Sequence, residues 1–295
     1  MAVESSVRLR VDGSSAVREL NRVQKATGAL QGAVGKLLGG FAAADLARRF
    51  FKGFAEAEKA TAAVRTLGVD SGKLRRELLG VSNELDGLVG QTELTAAAYD
   101  VASAGFTDAA GAANILKAAS RGAIGGLADL NTVADATTSV LNAYGLSSDK
   151  AAKLVDGFIQ TQNDGKIIVA QYAAQIGRVA PVAAAAGVGI EDLNAAISTV
   201  TAQGVPVEST FAGIRQIIAG VLKPTAEASK VAKTLGIEFN TAAIKAKGFG
   251  GFLADVVELV QIVLHHQPQL VQILHLHVRP LIILGVHEIT EHETA

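Results

Sequence analysis

Six short stretches, LGVDS, AGFTD, YGLSS, AGVGIED, QGVPVES and LGIEFN, punctuate residues 67–240 with one device: a glycine, an apolar residue, then polar residues. Glycine suits the left-handed conformation just past a helix end, and the apolar residue after it can fold back onto the last turn. A following Ser, Thr or Asp can cap the next helix by accepting a backbone N–H bond. Repeated at intervals of roughly 20–40 residues, such stops allow little besides short helices joined by tight turns. Asp70, Thr107 and Ser147 are the candidate caps. Glu191 and Asp192 fall in a first turn, where the helix dipole favours acidic side chains.

The segments between these stops read as helical. No proline occurs before Pro181, so the strongest helix breaker is missing from the first 180 residues. A long helix is expected over about 42–66, with Phe50, Phe51 and Phe54 gathered on one side. YDVASAGFTDAAGAANILKAASRGA and RVAPVAAAAGVGIEDLNAAISTVTAQG share a helix–turn–helix plan, consistent with a decayed duplication of one hairpin. GVPVESTFAGIRQIIAGVLKPT, residues 204–225, predicts a helix between Pro206 and Pro224. Its stripe is Phe211, Ile214, Ile217, Ile218, Val221 and Leu222, with small Ala212, Gly213, Ala219 and Gly220 allowing close approach of a neighbour. The expected fold is all-α: seven to nine helices in antiparallel hairpins from about Ser14 to Val257, preceded by one short strand at VRLRVDG. Residues 1–41 form an N-terminal strand and helix, 42–257 a helical core domain, and 258–295 an atypical tail.

Composition narrows function by exclusion. The 295 residues carry a net charge of −1, so no long-range field points to nucleic acid or anionic lipid. There is no cysteine, which removes disulfides, thiolate catalysis and Cys-based metal sites. Aromatic residues make up 4% and mean hydropathy is +0.32. Alanine supplies much of the apolar content and buries little area per residue, so completing the burial against copies of the chain or a partner is an expectation. The N-terminus, MAVESSVRLRV, lacks the apolar centre of a secretory signal. VAPVAAAAGVGI and FLADVVELVQIVL fall short of the ~20 apolar residues of a membrane span.

Catalytic motifs are missing as well. No histidine precedes His265, so no Ser or Thr of the helical region has an imidazole base within it. GAVGKLL at 32–38 departs from a phosphate loop, with Leu30 and Leu37 where glycine and a hydroxyl residue belong. KLRREL at 73–78 is the densest basic cluster and lacks aromatic neighbours for base stacking. Carboxylates sit in caps and beside Lys and Arg, as on solvated faces. No catalytic, cofactor-binding or metal-ligating residue is assigned.

In order and spacing, AAYDVASAGFT, LNAYGLSSDKAAKLVDGF, YAAQIGRVAPVAAAAGVGIEDLNAAISTVTAQGV, FAGIRQIIAGVLKPT and AEASKVAKTLGIEFN resemble the core region of phage tail tape-measure proteins, from about Phe50 to Phe249. VRLRVDGSSAVRELNRV is similar to the start of such proteins. The resemblance implies a structural virion component that fills the tail tube lumen during assembly in the host cytoplasm and sets tail length. It implies tail tube protein, tail tip or baseplate proteins and tail assembly chaperones as partners. Contact with the host membrane at ejection also follows from it; self-association remains the expectation drawn from the alanine-rich composition, and the scattered basic residues point to no sequence-specific nucleic-acid recognition. A membrane-active helical protein, such as a pore-former, is the alternative. A fully helical chain of this length reaches only ~440 Å, so the chain is expected to be the N-terminal portion of a longer ruler.

The tail breaks this pattern. LHHQPQLVQILHLHV, residues 264–278, holds four of the six histidines, and His287 and His292 follow. Beyond Ala254, Ala295 is the last alanine, Gly285 the lone glycine and Arg279 the lone Lys or Arg. Three readings stand: a metal site, a divergent native segment, and an aberrant tail from a frameshift, truncation or joined fragment. The last fits the abrupt change in composition best.

Overall fold

The computed structural model describes residues 58 and 60–266, apart from 235 and 237, and side chains through Val257 apart from those of 227, 231 and 234. The N-terminal strand, the phenylalanines at 50, 51 and 54, GAVGKLL, and the histidines from His275 onward lie outside the described residues. Contacts divide the chain into two compact units, 1–59 and 60–295. The fold below is that of the second.

After a helical stretch over 60–66, ten α-helices follow: α1 (Ser71–Glu84), α2 (Gln91–Ser103), α3 (Ala109–Gly125), α4 (Leu130–Tyr144), α5 (Ala151–Asp164), α6 (Val169–Ala186), α7 (Ile190–Ala202), α8 (Val207–Leu222), α9 (Ala226–Thr234) and α10 (Thr241–His266). A 3₁₀ turn, Ser148–Lys150, leads into α5. No strand occurs among the described residues. The fold is therefore all-α, with more and shorter helices than expected. α6 is central, flanked by α4 and α8; α3 packs against α1, α4 and α5, and α7 bridges α5 and α10.

All six glycines of the recurring device, Gly68, Gly105, Gly145, Gly187, Gly204 and Gly236, have positive φ. At Gly145 the Leu146 N–H donates to Leu141 O at 2.8 Å, and at Gly187 the Val188 N–H donates to Ala183 O at 2.9 Å. These bonds satisfy carbonyls that a helix end leaves free. Val69 and Val188 are buried behind their glycines, as the device requires.

The stops that sequence reading overlooks follow other rules. α3 ends in the same bonded turn, with the Ala128 N–H donating to Ala123 O, yet the left-handed position falls on Leu127 (φ 49°). Gly126 stands one residue too early because its missing side chain is used for packing: a Cβ there would lie 2.4 Å from Val169 Cβ. Leu127 is 92% exposed, so it holds a strained conformation without burying its side chain. Leu127→Gly is expected to stabilise the domain by about 0.5–1 kcal/mol, strain relief outweighing glycine's extra unfolded-state entropy. Urea denaturation reads this directly, and a lower midpoint would contradict it.

The caps were legible in part. Asp70 caps α1, its Oδ1 accepting from Gly72 N and Lys73 N, both at 2.9 Å. Those N–H donors, led by Lys73, hold its carboxyl below the usual range. Glu191 and Asp192 lie in the first turn of α7. The α3 cap is Asp108 rather than Thr107, since its Oδ2 accepts from Gly111 N at 2.9 Å. The Ser147 hydroxyl makes no cap bond and turns to Asp149 instead. In α8 the predicted stripe is buried except Leu222, which is 39% exposed at the helix end. Ala212 and Ala219 face solvent, whereas Gly213 is buried.

Candidate functional site

Aromatic residues are few, and three of them meet at the middle of the bundle. Phe158 on α5, Tyr172 on α6 and Phe211 on α8 are almost fully buried. The Tyr172 ring lies 4.7 Å from Phe158 and 5.8 Å, edge-on, from Phe211. Such tilted pairs add to the gain from burial alone. The Tyr172 hydroxyl donates to Asn194 Oδ1 on α7 at 2.5 Å. Asn194 can reach it because α5 presents Gly157, where a Cβ would sit 3.0 Å from Asn194 Nδ2. Burial drives the Tyr172 pKa well above its ordinary value, so this phenol stays a neutral donor. One polar pair thus joins four helices. Sequence reading marked Phe211 but missed Phe158, Tyr172 and Asn194; the signal available was two large rings in otherwise alanine-rich segments.

The buried threonine hydroxyls are occupied locally. Thr137, Thr161, Thr201 and Thr210 each donate to the carbonyl four residues back, at 2.7–3.1 Å. Such bonds satisfy a hydroxyl inside its own helix and give it no role as a nucleophile. The Ser120 oxygen is buried without a partner among the described residues. Tyr144 donates to Val188 O at 3.1 Å and fastens the α6–α7 turn to α4. Burial, with Glu191 and Asp192 nearby, pushes its pKa upward.

Charged residues form pairs at the surface. Lys153 meets Glu191 at 2.7 Å, both exposed, and the bond lowers the Glu191 pKa. Lys117 pairs with Glu84 and Lys73 with Asp108. Exposed pairs of this kind contribute little each. Within KLRREL, Leu74 and Leu78 are buried while Lys73, Arg75 and Arg76 face solvent, the ordinary partition of an amphipathic helix. Among the described residues no group of three or more His, Asp or Glu could hold a metal ion. No single described helix is long and apolar enough to cross a membrane. The bent pair Ser148–Asp164 and Val169–Ala186 passes by composition, but Leu154, Phe158, Tyr172 and Ile176 in it are core residues of the bundle.

An all-helical domain is the class these features define, many of its described polar side chains serving caps, turns, helix carbonyls and surface pairs. The chain belongs to the family described as phage-related minor tail protein, which it matches over residues 78–267, more than half its length. It is also similar to a tape measure protein of Pneumococcus phage Dp-1, with 27% identity over 114 residues. That match covers 39% of this chain and only 10% of the relative, so the chain spans a small part of such a protein. No solved structure matches. The family match over 78–267 contains α2 through α10 and the Tyr172 centre.

Proposed function

We propose that the chain acts as a phage tail tape-measure protein: it occupies the tail tube lumen during assembly and helps set tail length. The observation that carries this reading is the match to the Dp-1 tape measure protein within a wider match to the minor tail protein family. The all-helical bundle is compatible with it, its buried side chains serving packing and its glycines helix termination. Tail tube protein, tip or baseplate proteins and assembly chaperones are the partners proposed, with self-association inside the tube and contact with the host membrane at ejection. Assembly takes place in the host cytoplasm. The proposed domain division is 42–257 for the helical core, flanked by 1–41 and 258–295, with the last segment an aberrant tail.

Lumen occupancy has a direct test. In purified intact tails the 60–257 region is expected to resist added protease and to become cleavable once the tails have discharged. Equal cleavage before and after discharge would place the region outside the tube and defeat the proposal.

A further inference from the structure

The last described helix contains one residue that does not belong in a helix. Across the 26 residues of α10, Gly248 is non-helical, at φ 71° and ψ 165°, a region open essentially to glycine alone. Before the break, Ala243 and Ile244 are buried; after it, Phe249, Phe252 and Val256 are buried. Phe252 also packs on Phe239, with ring centres 5.7 Å apart. At 3.6 residues per turn, a straight helix would set these two apolar groups about 160° apart around its axis. A straight α10 could lay only one of them on the bundle, and the bend brings both to it.

A second contact belongs to the bend. Lys247 Nζ meets Asp255 Oδ2 at 2.5 Å. These residues are eight apart in sequence, and in a continuous helix they would be separated by about 12 Å along the axis. The pair therefore forms across the break and is lost on straightening. Space does not explain the glycine, since the nearest atom to a Cβ there is Asp192 Oδ2 at 3.7 Å. The requirement is conformational.

We propose that Gly248 is the joint of a two-state arm, bent while Phe249 and Phe252 are docked and one continuous helix over Thr241–His266 when they leave the core. Rotation about a single residue separates the states. The straight state turns Phe249, Phe252 and Val256 away from the face that Ala243 and Ile244 occupy. Burial of Phe249, Phe252 and Val256 on the bundle keeps the bent form as the resting state. The device goes beyond the tail reading and does not rest on it.

The absence of native cysteine makes the test clean. Exposed Ala242 and Ala254 are replaced by cysteine in the full chain and spin-labelled, and their dipolar coupling is measured. With Gly248 in place, a single separation shorter than that of a continuous helix is expected. Gly248→Ala is expected to lengthen it to a narrow distribution centred on about 18 Å between the Cα atoms, twelve residues of unbroken helix. An unchanged short separation would overturn the joint. If Gly248→Ala abolishes cooperative melting of the bundle, Phe252→Ala, which removes an anchor and keeps the glycine, decides instead. A narrow long distance in that variant supports the two-state arm, and an unchanged or broad distribution overturns it.

Discussion

Truncating Tyr172 to alanine is expected to destabilise the bundle by about 4 kcal/mol, the upper range for deleting a large buried ring. The ring is fully buried and touches two other rings, so its loss opens a void bordered by Phe158 and Phe211. It also leaves the Asn194 Oδ1 without its hydroxyl donor. For a domain of this size each kcal/mol moves the melting midpoint by about 2–4 °C, so the expected drop is roughly 8–16 °C. Tyr172→Phe separates the two contributions: it keeps the ring and removes the hydrogen bond, with an expected loss of about 1–3 kcal/mol from the unsatisfied amide oxygen. Calorimetry of both variants checks this. Equal losses would mean that the polar pair, rather than the rings, holds the centre together.

Gly126→Ala carries the second large effect. An added Cβ would lie 2.4 Å from Val169 Cβ and 2.8 Å from Gly122 O. Neither atom is the far end of a flexible chain: one is a β-branched carbon, the other backbone. Relief requires α3 and the start of α6 to separate, and the expected cost is about 3 kcal/mol, at the top of the usual range for overpacking. Gly80→Ala is the matched control. Gly80 lies inside α1 with nothing within 4 Å of an added Cβ, so the better helix propensity of alanine is expected to stabilise by up to about 1 kcal/mol. The same substitution should thus have opposite signs at these two glycines, and denaturation midpoints moving in the same direction would contradict the packing argument.

The glycines show where sequence reading succeeds and where it stops. A glycine between a helix end and an apolar residue declares its use locally, and all six such glycines take the left-handed conformation. A glycine needed because another helix passes within contact distance declares nothing locally. Gly126 and Gly157 depend on Val169 and Asn194, residues more than 35 positions away. The same limit hid the extra helices. The turn at Leu127 looks from its sequence like a Gly-Gly stop, yet packing against α6 consumes the glycine and pushes the turn one residue on. Thr107 and Asp108 are equally good caps by residue type, and only the path of the chain chooses Asp108.

Family membership was legible through order rather than chemistry. The succession of bland helical segments resembled tape-measure cores, and the family match over residues 78–267 agrees. The centre at Tyr172 was not legible, because a ring in a helix announces burial but not its partners. The loudest signal, the histidine-rich tail, begins at the end of α10 with His265 and His266. Its histidines from His275 onward lie outside the described residues.

The most direct measurement of the central claim is tail length in virions whose intact tape-measure gene carries in-frame insertions. If the protein measures length along a helical chain, inserting 100 helical residues should lengthen the tail by about 150 Å under the electron microscope, at 1.5 Å per residue. Matched deletions should shorten it in proportion. Infectious virions with tails of unchanged length would contradict the account.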